Sequence, residues 1–274
     1  GKSYQKFGWN AIFVDSENPE AFRQAITKKT RAIFIESLAN PGGVVVDIES
    51  IAKVANEAGV PLVVDNTMAT PFLCQPMEWG ADLVVHSTTK FLSGQGNAVG
   101  GVVIDSGKFT WLENSKFPSL STPSPEYNGL TFAETFGDLA FTMYSHAISL
   151  RDLGCSQSPM NAWITLNGVE TLPLRVERHC SNGLTVAKYL EKHPSVEWVS
   201  HAGLESSPYY KLGKKYMPDG TGSVFTFGVK GGYESGLKML ESVELFSHVA
   251  NIGDTRSLIL HPASTTHRQL TEEQ

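Results

Sequence analysis

Apolar residues in the first hundred positions fall into short unbroken runs, separated by stretches with helical spacing. Runs of this kind occupy residues 31–36, 61–65, 82–86 and 99–104, and residues 11–15 form a further strand-like segment. A run without polar alternation marks a strand covered on both faces, as parallel strands are when crossover helices pack against them. Between the runs, residues 19–26 are helical in pattern. Asp47 is placed to cap a helix that sets Ile48, Ile51, Ala52 and Ala55 on one face, before Gly59-Val60-Pro61 stops it. The pattern predicts an α/β domain: a largely parallel sheet flanked by helices.

The second half reads differently. Residues 116–128 are rich in Pro and Ser and predict an extended loop, long enough to suggest a functional or interface role. A long helix is expected over 168–193, ended by Pro194 and carrying Val169, Leu172, Val176, Leu184, Ala187 and Leu190 among its apolar positions. Strands at 197–200 and 223–228, a helix at 233–240 and a strand at 257–260 follow, which is α+β patterning. The expected division is a large α/β unit over 1–165, a connecting helix over 166–194 and a smaller α+β unit over 195–274. With no start methionine, and with 270–274 reading as the first turn of a helix, the chain is expected to be a fragment of both units.

Composition narrows the function classes. The 274 residues are 41% hydrophobic and 18% charged, with a formal net charge of -6, and no basic stretch is present. Nucleic acid is therefore excluded as an expected partner, and no apolar run is long enough to suggest a bilayer span. Cys74, Cys155 and Cys180 are odd in number and far apart, which argues for a reducing, cytoplasmic setting and against a disulfide framework. None of them has a metal-ligand spacing with a histidine, so no metal is expected.

Candidate chemistry gathers at two strand exits. Asp65 ends one predicted strand, and Lys90 follows another across His86-Ser87-Thr88-Thr89-Lys90. Ligands of open α/β sheets bind at the carboxyl ends of the strands, so an acid and an amine would face one cleft. Pyridoxal 5'-phosphate chemistry asks for that set. It needs a lysine to form a Schiff base, a carboxylate to hold the pyridine nitrogen protonated, and hydroxyls to take the phosphate. Ser87 and Thr89 would point the same way if strand geometry continues through them. The glycine cluster Gly94-Gln95-Gly96-Asn97-Ala98-Val99-Gly100 fails as a dinucleotide fingerprint, because it is one residue too long and leads into a strand. Trp163, Phe225 and Phe227 are read as core, His261 and His267 as hydrogen-bonding within the smaller unit, and Cys74 as inert.

Val64-Asp65-Asn66-Thr67-Met68-Ala69-Thr70-Pro71 and Gly80-Ala81-Asp82-Leu83-Val84-Val85-His86-Ser87-Thr88-Thr89-Lys90-Phe91-Leu92 together resemble the core of the Cys/Met-metabolism pyridoxal-phosphate enzymes. Glu36-Ser37-Leu38-Ala39-Asn40-Pro41 upstream and Gly253-Asp254-Thr255-Arg256-Ser257-Leu258 downstream extend the likeness nearly from end to end. The resemblance implies the transferase fold of type I. It makes Lys90 the cofactor-bearing and catalytic lysine, Asp65 the partner of the pyridine nitrogen, and Ser87 and Thr89 the phosphate contacts. Asn40 would touch the cofactor's phenolic oxygen and the substrate carboxylate, and Ser257 would sit beside lysine and substrate.

The loop after Lys90, the segment 117–128 and residues 150–162 are similar to the O-acetylhomoserine sulfhydrylase branch. That branch implies replacement of acetate on O-acetylhomoserine by sulfide or a thiol, giving homocysteine or methionine. It also implies a homodimer or homotetramer with shared active sites. Cystathionine synthesis, γ-elimination and an incomplete, inactive homologue are the alternatives. The phosphate clamp of the neighbouring subunit and the carboxylate-binding arginine of the family would lie outside 1–274.

Overall fold

The computed structural model describes residues 2–268. Strands β1 (Ile33–Glu36), β2 (Leu62–Asp65), β3 (Leu83–Ser87) and β4 (Gly101–Asp105) form one sheet in that spatial order. β1, β2 and β3 run parallel, and β4 is an antiparallel edge strand. Helix α1 (Pro19–Ala25) precedes β1 and α2 (Ile48–Glu57) links β1 to β2, so the α/β alternation read from the apolar runs is present.

Alternate residues of the strands build the core. Ile33, Ile35, Leu62, Val64 and Val84 are buried together with Ile48, Ile51 and Ala55 of α2. A long helix (Leu172–Glu191) closes the same core with Leu172, Val176 and Cys180, spaced four residues apart on one face. The opposite face of the sheet departs from the expected two-sided burial: Phe34 is 60% exposed and Val103 56%. Ala202, Tyr216 and Met217 also join the main core, so packing runs on past residue 195.

Several sequence expectations are corrected. Residues 11–15 form no strand, and Ile12 and Phe13 are exposed. Local β propensity has no neighbouring strand to pair with there. The helix expected over 168–193 is two helices, Pro159–Glu170 and Leu172–Glu191, because Pro173 near the start of the second has no N–H to continue the first. Residues 116–128 are not extended but contain the turns Pro118–Ser121 and Pro125–Tyr127, and Leu120 packs into a second cluster with Trp111, Phe132 and Ala140. Asp47 holds the N-cap position of α2 without capping it. Its carboxylate accepts from Ser50 Oγ (2.6 Å) and from the Tyr216 hydroxyl instead.

Beyond the long helix, β5 (Val196–Ser200) and β6 (Thr226–Val229) pair antiparallel, and β7 (Ser247–His248) and β8 (Leu258–Ile259) pair in parallel. A helix over Gly232–Ser242 lies between these pairs in sequence. His261 Nδ1 lies 3.0 Å from Ser264 Oγ and His267 Nδ1 2.9 Å from Thr266 Oγ1, so both rings are held by local hydrogen bonds. The helical turn expected at 270–274 lies outside the described residues. Among the described residues no helix is long and apolar enough to cross a membrane.

Candidate active site

Parallel strands bring their carboxyl ends to one edge, and β1, β2 and β3 deliver Glu36, Asp65 and Ser87 there. A cavity of about 190 Å³ opens at that edge, lined by Glu36, Leu38, Asn40, Asp65, Thr67, Met68, Ser87, Lys90 and Ile252. Four of the six residues singled out from the sequence, Lys90, Asp65, Ser87 and Asn40, therefore share one cavity.

Lys90 reaches it because the chain stops being a strand at Ser87 and turns. Residues Thr88–Leu92 form a single wide helical turn that breaks at Lys90, where φ is -94° and ψ -123°. The Lys90 ammonium donates to Asn251 Oδ1 at 2.7 Å. Asp65 Oδ1 accepts from the Thr67 N–H at 2.9 Å, and Thr67 Oγ1 accepts from the Ser87 N–H at 2.8 Å, so Thr67 ties the two strand exits together.

Behind the loop after β2, the buried Asn66 fixes its course. Asn66 Oδ1 accepts from Ser37 Oγ (2.6 Å), and its Nδ2 donates to the carbonyls of Thr70 (3.1 Å) and Cys74 (2.8 Å). Cys74 is 1% exposed, and burial pushes its thiol up to about 12, which leaves no reactive thiolate.

The electrostatics of the rim are set by paired acids. Burial, followed by repulsion from Asp65, holds the Glu36 carboxyl above the usual range, while the Asn40 N–H at 3.1 Å works in the opposite direction. His86, on β3 and facing the core, is held below its ordinary value by burial, with Asp65 opposing. Its Nδ1 is buried and has no hydrogen-bond partner among the described residues.

Two expected site residues stand apart. The strand alternation needed to aim Ser87 and Thr89 together ends at Ser87. The Thr89 hydroxyl accepts from Gly100 N (3.1 Å) and donates to Gly100 O (3.3 Å), outside the cavity lining. Ser257 is exposed and its carbonyl accepts from Ser247 N at 2.9 Å, while Asn251 and Ile252, a few residues earlier, reach the Lys90 side. Glu36, Thr67 and Asn251 are functional neighbours that the sequence reading did not single out. Glu36 ends a predicted strand and was open to the same strand-end argument as Asp65. Asn251 lies 161 residues from Lys90, with no local signal.

A larger cavity of about 380 Å³ lies on the other side of the Lys90 turn, lined by Ser93, Gln95, Trp163, Asn167 and Arg175 among others. Among the described residues it presents no carboxylate and no amine, so the chemistry belongs to the smaller one. Trp163 is 60% exposed at its edge and is not core.

The smaller cavity fits pyridoxal phosphate by the chemistry of its donors. It presents an amine able to bond to an aldehyde and a carboxylate whose Oδ2 takes no hydrogen bond among the described residues. It also presents a Ser87 hydroxyl that is likewise uncommitted.

The model of the Cys/Met metabolism PLP-dependent enzymes matches residues 1–274. An O-acetyl-L-homoserine sulfhydrylase of Leptospira meyeri is 50% identical over 98% of this chain and 63% of its own length. A homocysteine synthase of Schizosaccharomyces pombe is 46% identical over the same shares. The chain thus spans a little under two thirds of the curated relatives it matches. Among solved structures, a Campylobacter jejuni protein assigned as an O-acetylhomoserine (thiol)-lyase superposes with a TM-score of 0.94 at 39% identity. The match covers 99% of this chain and 65% of that one, which carries an N'-pyridoxyl-lysine-5'-monophosphate residue. With its largely parallel sheet, its lysine-bearing turn and a family match over its whole length, the chain belongs to the Cys/Met metabolism PLP-dependent enzymes, of fold type I.

Proposed function

We propose that the protein of which this chain is part replaces the acetate of O-acetylhomoserine with sulfide or a thiol, giving homocysteine or methionine. The observation that carries the reading is the gathering of Lys90, Asp65, Ser87 and Asn40 around one cavity. The relatives named as sulfhydrylases and homocysteine synthases support the choice of substrate.

When bound, pyridoxal phosphate supplies an aldehyde carbon that bonds to amines and a ring that takes up the electrons left when a Cα proton departs. Lys90 would hold the cofactor covalently, and its Nζ, when free, would move protons at the substrate Cα and Cβ. Acetate then leaves from Cγ, the sulfur nucleophile adds there, and the protons return. Asp65 would keep the ring nitrogen protonated through its open oxygen, with Thr67 holding that carboxylate in place. Ser87 and Thr89 would take the phosphate. Thr89 can keep accepting from Gly100 N while its O–H turns from the long bond to Gly100 O. Asn40 would contact the cofactor's phenolic oxygen and the substrate carboxylate, and Ser257, exposed and outside the cavity lining, would have to approach the substrate from beyond it.

The reading includes a large cofactor-binding unit over 1–165, a connecting helix over 166–194 and a smaller unit from 195 onward. It also includes assembly with copies of itself as a dimer or tetramer, which would cover apolar side chains such as Leu153, Leu166 and Leu174, at 72%, 65% and 72% exposed. Its setting is cytoplasmic, where the unpaired Cys74, Cys155 and Cys180 stay reduced.

The test supplies the cofactor-loaded full protein with O-acetylhomoserine and either sulfide or cysteine. Homocysteine and acetate in equal amounts from the sulfide reaction are expected. Cystathionine from cysteine as the faster product, 2-oxobutanoate without any thiol, or no product at all would overturn the assignment.

A further inference from the structure

The turn that presents Lys90 has a second attachment, on the face away from the cavity. Residues beyond Leu92 leave the helix, so the carbonyls of Phe91 and Leu92 face no amide one turn ahead. Arg175, on the long helix, supplies donors in their place. Its Nη1 donates to Phe91 O at 2.9 Å, and its Nη2 to Leu92 O at 3.4 Å and to Gly168 O at 2.6 Å. The guanidinium is aimed by its own Nε, which donates to Thr171 Oγ1 at 3.1 Å. Among the described residues no carboxylate pairs with Arg175, and its half-buried charge is met by three carbonyls and one hydroxyl. A planar fork suits this arrangement, since it can hold several oxygens in one rigid geometry.

The surroundings leave the turn little room. A Cβ on Gly168 would lie 2.3 Å from Leu92 O, and one on Gly253 would lie 2.5 Å from Phe91 N, so backbone packs directly on the turn from two sides. The His179 ring, one helical turn beyond Arg175, stands edge-on to Phe91 with centroids 5.6 Å apart.

We infer that Arg175 is a positioning residue: it clamps the carbonyls that follow Lys90 and thereby sets where the Lys90 amine stands in the cavity. This rests on Lys90 being the cofactor-bearing lysine. The clamp touches neither cavity group nor substrate, and it acts through the backbone of residues 91 and 92.

The experiment uses the cofactor-loaded full protein and three variants: Arg175→Ala, Thr171→Val, which only loosens the aim of the guanidinium at an exposed helix junction, and Arg178→Met as an exposed control on the same helix. Amide hydrogen exchange at Ser93 and Gly94, which donate to Thr88 O and Lys90 O, is read beside kcat and KM. In Arg175→Ala, exchange at these two amides rises about tenfold or more, as expected for loss of a charge-assisted hydrogen bond. Its kcat falls while KM holds. Thr171→Val moves both readouts the same way by less, and Arg178→Met moves neither. The cavity of about 380 Å³ beside Arg175 gives a further readout, because millimolar guanidinium restores exchange protection and kcat in Arg175→Ala.

Unchanged exchange at Ser93 and Gly94, or a loss of protection spread equally over β1, β2 and β3, would overturn the inference. So would a failure of guanidinium to restore it. Borohydride reduction and peptide mapping of the same samples separate the two claims. If the reduced cofactor sits on another lysine while the loosening stays local, the assignment of Lys90 fails and the clamp stands.

Discussion

The two sides of the Lys90 turn hold their polar groups in opposite states. On the cavity side, the Asp65 carboxylate keeps one oxygen open, the Ser87 hydroxyl is uncommitted, and Glu36 and Asp65 face each other as neighbouring acids. On the far side, the Arg175 guanidinium has its donors aimed at three carbonyls and a hydroxyl. Asp65 and Ser87 are half-buried, and open polar groups concentrated at one strand edge mark where a ligand completes the bonding. The difference separates residues that do chemistry from residues that hold it in place.

That comparison is broken most directly at Lys90. Lys90→Ala is expected to abolish covalent attachment and to lower turnover by about 10²–10⁴-fold through the lost proton transfers alone, with the fold kept. Steady-state kinetics and circular dichroism check it, and retained turnover would remove the cavity side's claim. Next in size, Asp65→Asn keeps the acceptor for Thr67 N–H but loses the charge, and turnover is expected to fall about 10²-fold. Asp65→Glu should recover part of it, and an undiminished Asp65→Asn rate would show that the open oxygen has no catalytic use.

A committed group should behave in the reverse way. Asn66→Ala leaves the Cys74 carbonyl without its partner and Ser37 Oγ with only its 3.4 Å bond to Asp65 O, while Thr70 O keeps the Cys74 N–H. The cost is about 1–3 kcal/mol for each group left without a partner, read as a lower melting temperature, with cofactor still attached to Lys90. Loss of attachment without loss of stability would blur the distinction.

The smallest effect concerns Glu36. Its carboxyl is raised above the ordinary 4.5 in the folded chain, so the folded state binds the proton more tightly than the unfolded one. Stability attributable to this group is therefore lost as pH rises through and above 4.5. Glu36→Gln should raise the melting temperature at neutral pH in the cofactor-free protein, and the gain should close below 4.5. A gain that grows on acidification would reverse the sign.

Much of this was legible in the residues. β1, β2 and β3 announce themselves as unbroken apolar runs, although only one face of the sheet is well covered among the described residues and Phe34 stays exposed, and Asp65 and Lys90 follow from the strand-end rule. Other features depend on distant partners. Residues 11–15 have strand composition but nothing to pair with, and Thr89 lost its expected direction because the strand ends two residues earlier. Trp163 has core chemistry yet borders a cavity. Asn251 and Arg175 reach the Lys90 turn from far along the chain, and on their own segments they read as an ordinary loop amide and a solvated helix charge.

The central claim is a covalent one, and one measurement addresses it directly. The cofactor-loaded protein is reduced with borohydride, digested and mapped by mass spectrometry. The account predicts the phosphopyridoxyl mass on the peptide containing Lys90 and on no other. The label on a different lysine, or a protein that binds the cofactor but retains none after reduction, would contradict it.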